Sequence, residues 1–217
     1  MSKLIREALI YMGYRKKINE LDKEIYNEIV EILDDIKKTA NISYITKDFD
    51  IENKNECINL LNSNVKFDSK NLSKLLKDSK KITVAAVTLG IQLDKKIKKF
   101  TYTDMSKAVI YDACASAIIE EKCDELENMI INNFPEHFLT NRFSPGYGDL
   151  ELNNQKKIIN LLQTEKKIGL TLTSGNLMIP QKSVTFIVGI TEVEKCTSKN
   201  KCDRCNAKCE FRVKTRK

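Results

Sequence analysis

A continuous run of apolar and β-branched residues at positions 82–90 places the strongest constraint on how this chain can fold. The run holds Ile82, Val84, Ala85, Ala86, Val87 and Leu89, and it ends at Gly90. A strand that is apolar on both faces has to be covered by other elements on both sides. The run therefore predicts a strand buried between two layers.

Helical and strand patterns are mixed along the rest of the chain without a regular alternation. Apolar residues recur at helical spacing over about 20–38 and 104–131. Further strands are predicted at 41–49, 168–173 and 183–193. This order predicts an α+β fold, with helices packed around a central twisted sheet that is antiparallel or mixed. Asp112 falls in the apolar stripe of the long helix, where a carboxylate needs a partner.

The basic charge of the chain is concentrated at its C-terminal end. The 217 residues carry a formal net charge of +7, and the excess of Lys and Arg lies in residues 195–217. We interpret residues 1–195 as one folded domain and residues 196–217 as a basic, cysteine-rich tail. The tail is either a solvated terminus or a docking patch for an acidic partner.

The charge distribution and the hydropathy of the chain each disfavour one class of protein. Basic charge is not spread over a folded face, so we expect no nucleic-acid binding. No apolar run reaches membrane-spanning length, and charged residues stand where a signal peptide would have its apolar core. We therefore expect a cytoplasmic protein without a membrane segment.

Residues 142–149 form the most distinctive local segment. Pro145 fixes one φ angle, and Gly146 permits backbone conformations that a side chain would block. Arg142 offers a planar fork for a carboxylate or phosphate, and Tyr147 offers an aromatic face that attracts a cation. Such a turn suits a small zwitterion, although it also fits an ordinary Pro-Gly turn before a helix whose N-cap is Asp149.

These residues resemble a known family. The spacing Arg142-x-x-Pro145-Gly146-Tyr147 is similar to the signature of the S-adenosylmethionine-binding activation domain of cobalamin-dependent methionine synthase. Other segments resemble that family in the same order: Thr88–Gly90 with Asp94, Asp104–Glu120, Thr171–Ser174, Met178-x-Pro180 and Lys182–Val184. The resemblance covers about residues 80–195 and implies the stand-alone form of this domain.

The resemblance implies the reactivation subunit of a split methionine synthase. In that family, cobalamin that has been oxidised to cob(II)alamin is returned to methylcobalamin by one electron and a methyl group from S-adenosylmethionine. The implied partners are a cobalamin-binding synthase chain or corrinoid protein, and a flavodoxin-like or ferredoxin-like reductant. The protein would position its partners' reactive groups, since the chemistry belongs to the cofactors.

The resemblance also assigns site residues. Arg142 would pair with the methionine carboxylate of the ligand, Gly146 would let the backbone approach it, and Tyr147 would pack on it. Pro145 belongs to the same implied ligand-binding set. Glu120 is the matching acidic residue on the long helix, with Ser116 as the alternative at that position. The family has a further acidic ligand contact near its start, which the N-terminal third of this sequence does not identify.

Four cysteines in the tail predict a metal site. Cys196, Cys202, Cys205 and Cys209 fall within a short polar stretch, and four thiolates at such spacing suit zinc or an iron–sulfur cluster. A reduced tail without metal is the alternative. A second functional reading follows, in which the chain serves a corrinoid protein as a zinc or iron–sulfur module, or as a docking protein, without binding S-adenosylmethionine.

Overall fold

A six-stranded antiparallel sheet forms the centre of the molecule. The computed structural model of the chain describes residues 2–14 and 21–193. The strands are β1 (Ser43–Lys54), β2 (Cys57–Leu60), β3 (Lys66–Asp68), β4 (Ser79–Thr88), β5 (Phe138–Leu139), β6 (Thr171–Leu172), β7 (Met178–Ile179) and β8 (Ser183–Thr191). The sheet has the order β3-β2-β1-β4-β8-β5, and β6 and β7 form a separate hairpin. Every pairing in the described sheet is antiparallel.

Helices cover both faces of this sheet. They are α1 (Lys3–Tyr11), α2 (Lys23–Thr39), α3 (Lys70–Leu75), α4 (Ile91–Thr103), α5 (Met105–Asn132), α6 (Asn154–Leu162) and α7 (Thr164–Ile168). The first core joins α1, α2, α4 and α5 to one face, and the second joins α3, α6 and α7 to the other. The predicted α+β class is confirmed. Within the described residues, no helix combines the length and the apolar character needed to cross a bilayer.

Strand β4 is covered on both sides, as its sequence predicts. Ala85 and Val87 face the core that contains α5, whereas Val84 and Ala86 face the opposite core. All four side chains are at most 1% exposed. The strand lies between β1 and β8, so its backbone groups are paired along both edges as well.

Helix α5 lies between the sheet and the outer helices. It packs against α1, α2 and α4 and also contacts β4 and β8. Its middle is built from Ala113, Cys114, Ala115 and Ala117, each at most 3% exposed. Small side chains let neighbouring backbones approach closely, so this helix is buried on several sides while its remaining face stays polar.

The strand predicted over 168–173 is confirmed only at Thr171 and Leu172. Residues 164–168 form α7, and only Thr171 and Leu172 are in β6. The Thr164 hydroxyl donates to the Leu170 carbonyl (2.6 Å), and the Leu170 amide donates to the Thr164 carbonyl (3.3 Å). These local hydrogen bonds close a turn where an extended strand would have had to run.

Candidate functional site

The segment 142–149 is fixed at its start by the central sheet. The Phe143 amide donates to the Ile187 carbonyl (2.9 Å), and the Ile187 amide donates to the Phe143 carbonyl (2.8 Å). This bridge places Arg142 beside β8, with its guanidinium carbon 5.7 Å from the centre of the Phe186 ring. The arginine therefore projects from a rigid strand and its position is well defined.

The middle of the segment is a tight turn that exposes an aromatic ring. The Gly146 amide donates to the Leu150 carbonyl (2.7 Å), and Gly146 has a φ of +92°, which favours glycine. Pro145 is buried beneath the turn, whereas Tyr147 is 59% exposed. The Tyr147 ring meets Phe143 edge to face at 6.4 Å. The Tyr147 ring is thus exposed to solvent on a turn that is fixed by a backbone hydrogen bond and by the contact with Phe143.

The end of the segment is tied to α3 by Asp149. Its carboxylate accepts hydrogen bonds from the Ser69 hydroxyl (2.5 Å) and from the Lys70 (2.8 Å) and Asn71 (3.2 Å) amides. The prediction that Asp149 caps the next helix along the chain is wrong, because the N-cap of α6 is Asn153. Asp149 instead satisfies amides at the N-terminus of α3, which have no partner within that helix.

These bonds make the contribution of Asp149 to stability dependent on pH. The hydrogen bond from Ser69, followed by the Asn71 and Lys70 amides, holds the pKa of Asp149 below the ordinary aspartate value of 3.8. Its stabilising effect is therefore complete above pH 3.8 and is lost as the pH falls through its lower folded-state pKa. Asp149→Asn should lower the melting temperature at pH 7, and the difference from wild type should shrink as the pH falls below 3.8.

Thermal unfolding at pH 7 and at a series of pH values below 3.8 tests this prediction. Asp50→Asn is the matched control, since Asp50 is 59% exposed and pairs with Lys81 at 2.9 Å, and such surface pairs contribute little. A melting temperature for Asp149→Asn that matches the control at pH 7 would contradict the capping role.

The guanidinium of Arg142 is held by carboxylates on α5. Its Nη2 donates to Glu120 Oε2 (2.9 Å) and Asp124 Oδ1 (3.1 Å), and its Nη1 lies 3.7 Å from Glu127 Oε2. The Arg142 side chain is only 12% exposed. Glu120 and Asp124 are one turn apart and so share a face of the helix. We call Arg142 and these three acidic residues the carboxylate cluster.

Negative charge exceeds positive charge in this cluster. Burial disfavours the charged guanidinium, but Glu127 and Glu120 outweigh it, so the pKa of Arg142 is raised and the side chain stays protonated. Among the described residues, its Nη1 has no hydrogen-bond partner, although the atom is buried. A buried donor without an acceptor is costly, so this nitrogen would gain from an additional oxygen ligand.

Side chains of helix α1 also lie beside the carboxylate cluster, which the sequence did not predict. Lys3 Nζ lies 2.6 Å from Asp124 Oδ2, and burial raises the pKa of Glu7, with Asp124 and Glu120 adding to that effect. Burial also raises the pKa of Tyr11 to about 12, reinforced by Glu120 and Glu7. Lys3, Glu7 and Tyr11 are four residues apart, and this spacing is the signal that places them on one edge of a helix.

The polar face of α5 extends beyond the cluster. Lys182 Nζ lies 2.8 Å from Asp112 Oδ1 and donates to the Ser116 hydroxyl at 3.0 Å. Asp112 is 58% exposed, so its placement in an apolar stripe is wrong, although it does have a charged partner. Glu120 contacts Arg142 and Ser116 contacts Lys182, so both positions considered for the acidic ligand contact lie on this face.

The predicted metal ligands Cys196, Cys202, Cys205 and Cys209 lie outside the described residues. Within residues 2–14 and 21–193, no group of three or more His, Cys, Asp or Glu side chains is arranged to hold a metal ion. Cys114 and Cys123 are fully buried, and burial raises the pKa of each thiol to about 12. Both are structural residues of the core.

Comparisons with known proteins identify the family and the fold of the chain. Residues 70–197, more than half of the chain, match the family described as "Vitamin B12 dependent methionine synthase, activation domain". None of the curated proteins matches the chain. A crystal structure of the MetH reactivation domain bound to AdoHcy has the same fold, with a TM-score of 0.66, 18% sequence identity, and coverage of 88% of this chain and 76% of that one. The chain belongs to the family of vitamin B12-dependent methionine synthase activation domains.

Proposed function

We propose that this protein binds S-adenosylmethionine at the carboxylate cluster and presents it to a cobalamin carried by a partner chain. It would act as the reactivation subunit of a methionine synthase, a methyltransferase system. One electron from a flavodoxin-like or ferredoxin-like donor and the methyl group of the ligand would together restore methylcobalamin and leave S-adenosylhomocysteine. The observation that carries the proposal is a buried Arg142 among carboxylates beside the exposed Tyr147.

The charges of the site match those of the ligand. S-adenosylmethionine carries a carboxylate, an ammonium and a sulfonium. Its carboxylate would bind Arg142, whose Nη1 has no hydrogen-bond partner among the described residues. Glu120 and Asp124 would then share the guanidinium with the ligand and attract its two cationic groups.

The turn accounts for the remaining contacts. Tyr147 would lie against the sulfonium, because an aromatic face attracts a cation. Gly146 carries no side chain, so a ligand can approach the backbone of the turn closely. Since Tyr147 is exposed, a ligand beside it would remain accessible to a corrinoid on another protein.

Titration calorimetry with S-adenosylmethionine tests the binding step. A remethylation assay tests the whole proposal, with a cob(II)alamin-loaded corrinoid partner and a reductant. We expect methylcobalamin to form only when the protein, the ligand and the reductant are all present. A folded protein that binds no S-adenosylmethionine would overturn the proposal and favour a docking or electron-relay role.

Glu120→Gln should weaken S-adenosylmethionine more than S-adenosylhomocysteine. The first ligand has the sulfonium charge that Glu120 attracts, and the second lacks it. A partly exposed charge contact contributes about 1 kcal/mol, or roughly fivefold in affinity. Calorimetry with both ligands measures the difference. Glu125→Gln is the control, because Glu125 lies on α5 but pairs with Lys122 (2.7 Å); an equal effect of both variants would contradict the role of Glu120.

The tail carries a separate proposal. We propose that Cys196, Cys202, Cys205 and Cys209 bind one zinc ion or iron–sulfur cluster, since closely spaced thiolates close short loops at little entropic cost. Metal analysis after anaerobic purification should find zinc or iron, and Cys202→Ser with Cys205→Ser should remove it. The buried Cys114 and Cys123 serve as controls whose substitution leaves the metal content unchanged. A metal-free wild-type protein would contradict the proposal.

A further inference from the structure

A polar cleft lies between α3 and the β1–β2 hairpin, away from the carboxylate cluster. Lys70, Lys74 and Lys77 line it from the side of α3, and Asn55 and Glu56 line it from the hairpin. We call it the lysine cleft. Its volume is about 420 Å³, within the range of about 300–1,000 Å³ that is typical of small-molecule sites. Because α3 and α5 pack on opposite faces of the sheet, the lysine cleft is separate from the proposed S-adenosylmethionine site.

The two sides of the lysine cleft are joined by a pair of hydrogen bonds. Ser73 Oγ donates to Asn53 Oδ1 at 2.6 Å, and Asn53 Nδ2 donates to the Ser73 carbonyl at 2.9 Å. These bonds fix α3 against the end of β1, so the cleft has a defined shape. The carboxylate of Asp149 already accepts from the Lys70 and Asn71 amides. A ligand in the cleft would therefore be bound by side chains.

The hairpin side of the cleft carries a residue in an unfavourable backbone conformation. Asn55 has a φ of +51° and Glu56 a φ of +64°, as a two-residue loop between the paired Lys54 and Cys57 requires. Asparagine tolerates this conformation, whereas a glutamate seldom adopts it. Glu56 Oε1 lies 3.1 Å from Lys70 Nζ, so the side chain at this costly position holds one of the lysines in place.

The lining of the cleft has more positive than negative charge. Its three lysines are spaced four and three positions apart, and Glu56 is the single carboxylate among the lining residues. Glu56 pairs with Lys70. Lys74 and Lys77 are exposed and form no ion pair within residues 2–14 and 21–193. Two ammonium groups in one cleft are therefore left without a balancing anion.

We propose that the lysine cleft binds a small molecule through its phosphate groups. Lys74 and Lys77 pair with the phosphate oxygens, and the Asn55 carboxamide donates a further hydrogen bond. A phosphate group carries a charge of about −1.5 to −2 at pH 7 and three acceptor oxygens, so it matches two unpaired ammonium groups better than a single carboxylate does. Glu56 is a positioning residue that orients Lys70 at the edge of the cleft.

Chemical protection of the lysines tests this inference in the wild-type protein. The protein is treated with an amine-acetylating reagent at low ionic strength, where charge pairs are least screened, and mass spectrometry measures the rate at each lysine. Inorganic pyrophosphate should slow the acetylation of Lys74 and Lys77 at least fivefold. It should leave Lys166 and Lys167 unchanged, because both are exposed on α7 and neither lines the cleft. Citrate, an anion without phosphate, should protect none of the four.

Titration calorimetry with pyrophosphate gives a second measurement. Lys74→Gln combined with Lys77→Gln should weaken pyrophosphate binding at least tenfold, because both unpaired ammonium groups are lost. Lys166→Gln combined with Lys167→Gln removes the same charge elsewhere and should change the affinity less than twofold. All four side chains are exposed, so both double variants should fold.

Three results would overturn the inference. They are unprotected Lys74 and Lys77 at high pyrophosphate concentration, equal protection by citrate, and equal pyrophosphate affinity of the two double variants. The experiments contain no S-adenosylmethionine, so a failure of the phosphate assignment leaves the proposed function intact. Conversely, a protein that binds no S-adenosylmethionine would still show the protection expected at the lysine cleft.

Discussion

Arg142→Ala should lower the free energy of unfolding by about 2–3 kcal/mol and abolish detectable binding of S-adenosylmethionine. Removing one partner from a buried ion pair costs about 3–5 kcal/mol, because the other charges stay desolvated and unpaired. The cost expected for Arg142→Ala is lower than in a fully buried pair, because Glu120 is 39% and Asp124 41% exposed. Water can therefore partly replace the guanidinium. Urea unfolding measures the stability, and calorimetry on the folded variant measures the binding.

Two further variants separate charge from geometry at this position. Arg142→Lys keeps the positive charge but loses the planar fork, so it should retain more stability than Arg142→Ala while still binding the ligand poorly. Adding Glu120→Gln to Arg142→Ala should restore part of the stability, because it removes one carboxylate that has lost its partner. A urea midpoint unchanged by Arg142→Ala would contradict the cluster as a structural element.

Gly189→Ala is expected to destabilise the protein by about 1–3 kcal/mol through overpacking. Gly189 lies in β8, which runs between β4 and β5. A Cβ atom added there would lie 2.5 Å from Leu76 Cδ2 and 3.0 Å from Thr140 Cγ2, and it would overlap Ser79 Oγ. These neighbours belong to packed elements on both sides of the strand, so the backbone itself would have to shift.

Chemical denaturation of Gly189→Ala measures this cost. Gly175→Ala provides the control, because an added Cβ there would meet only Thr173 Oγ1, at an ordinary 3.8 Å. The combination of Gly189→Ala with Ser79→Ala should recover part of the lost stability if crowding against that hydroxyl is the cause. Equal stabilities for the Gly189 and Gly175 variants would contradict the close packing.

The spacing of apolar residues within single segments was sufficient to predict the strands and the helix that position the site. The apolar run at 82–90 predicts β4, helical spacing predicts most of α5, and alternation predicts β8, because burial imposes a period on each of these segments. The turn at 142–149 was also predictable, since proline and glycine restrict or permit specific backbone angles. Arg142 and Glu120 were named from a resemblance and are found 2.9 Å apart.

The features that the sequence did not predict depend on contacts between distant segments. Asp149 caps α3, about 80 positions earlier in the chain, because of how the turn packs against that helix. Glu7 and Tyr11 reach the carboxylate cluster because α1 packs on α5, a contact that no local pattern encodes. Asp112 is exposed because the polar face of α5 is wider than its apolar spacing indicates.

The order of strands in the sheet limits how far the chain can be shortened. The family match begins at residue 70, yet β1 lies directly beside β4 in the sheet, and α1 and α2 cover α5. A fragment that starts at residue 70 would turn β4 into an edge strand with a row of unpaired backbone groups. It would also expose the apolar side of α5 to water. Edges of that kind pair with other chains, so we expect such a fragment to aggregate, and expression trials should retain the elements that precede the recognisable sequence.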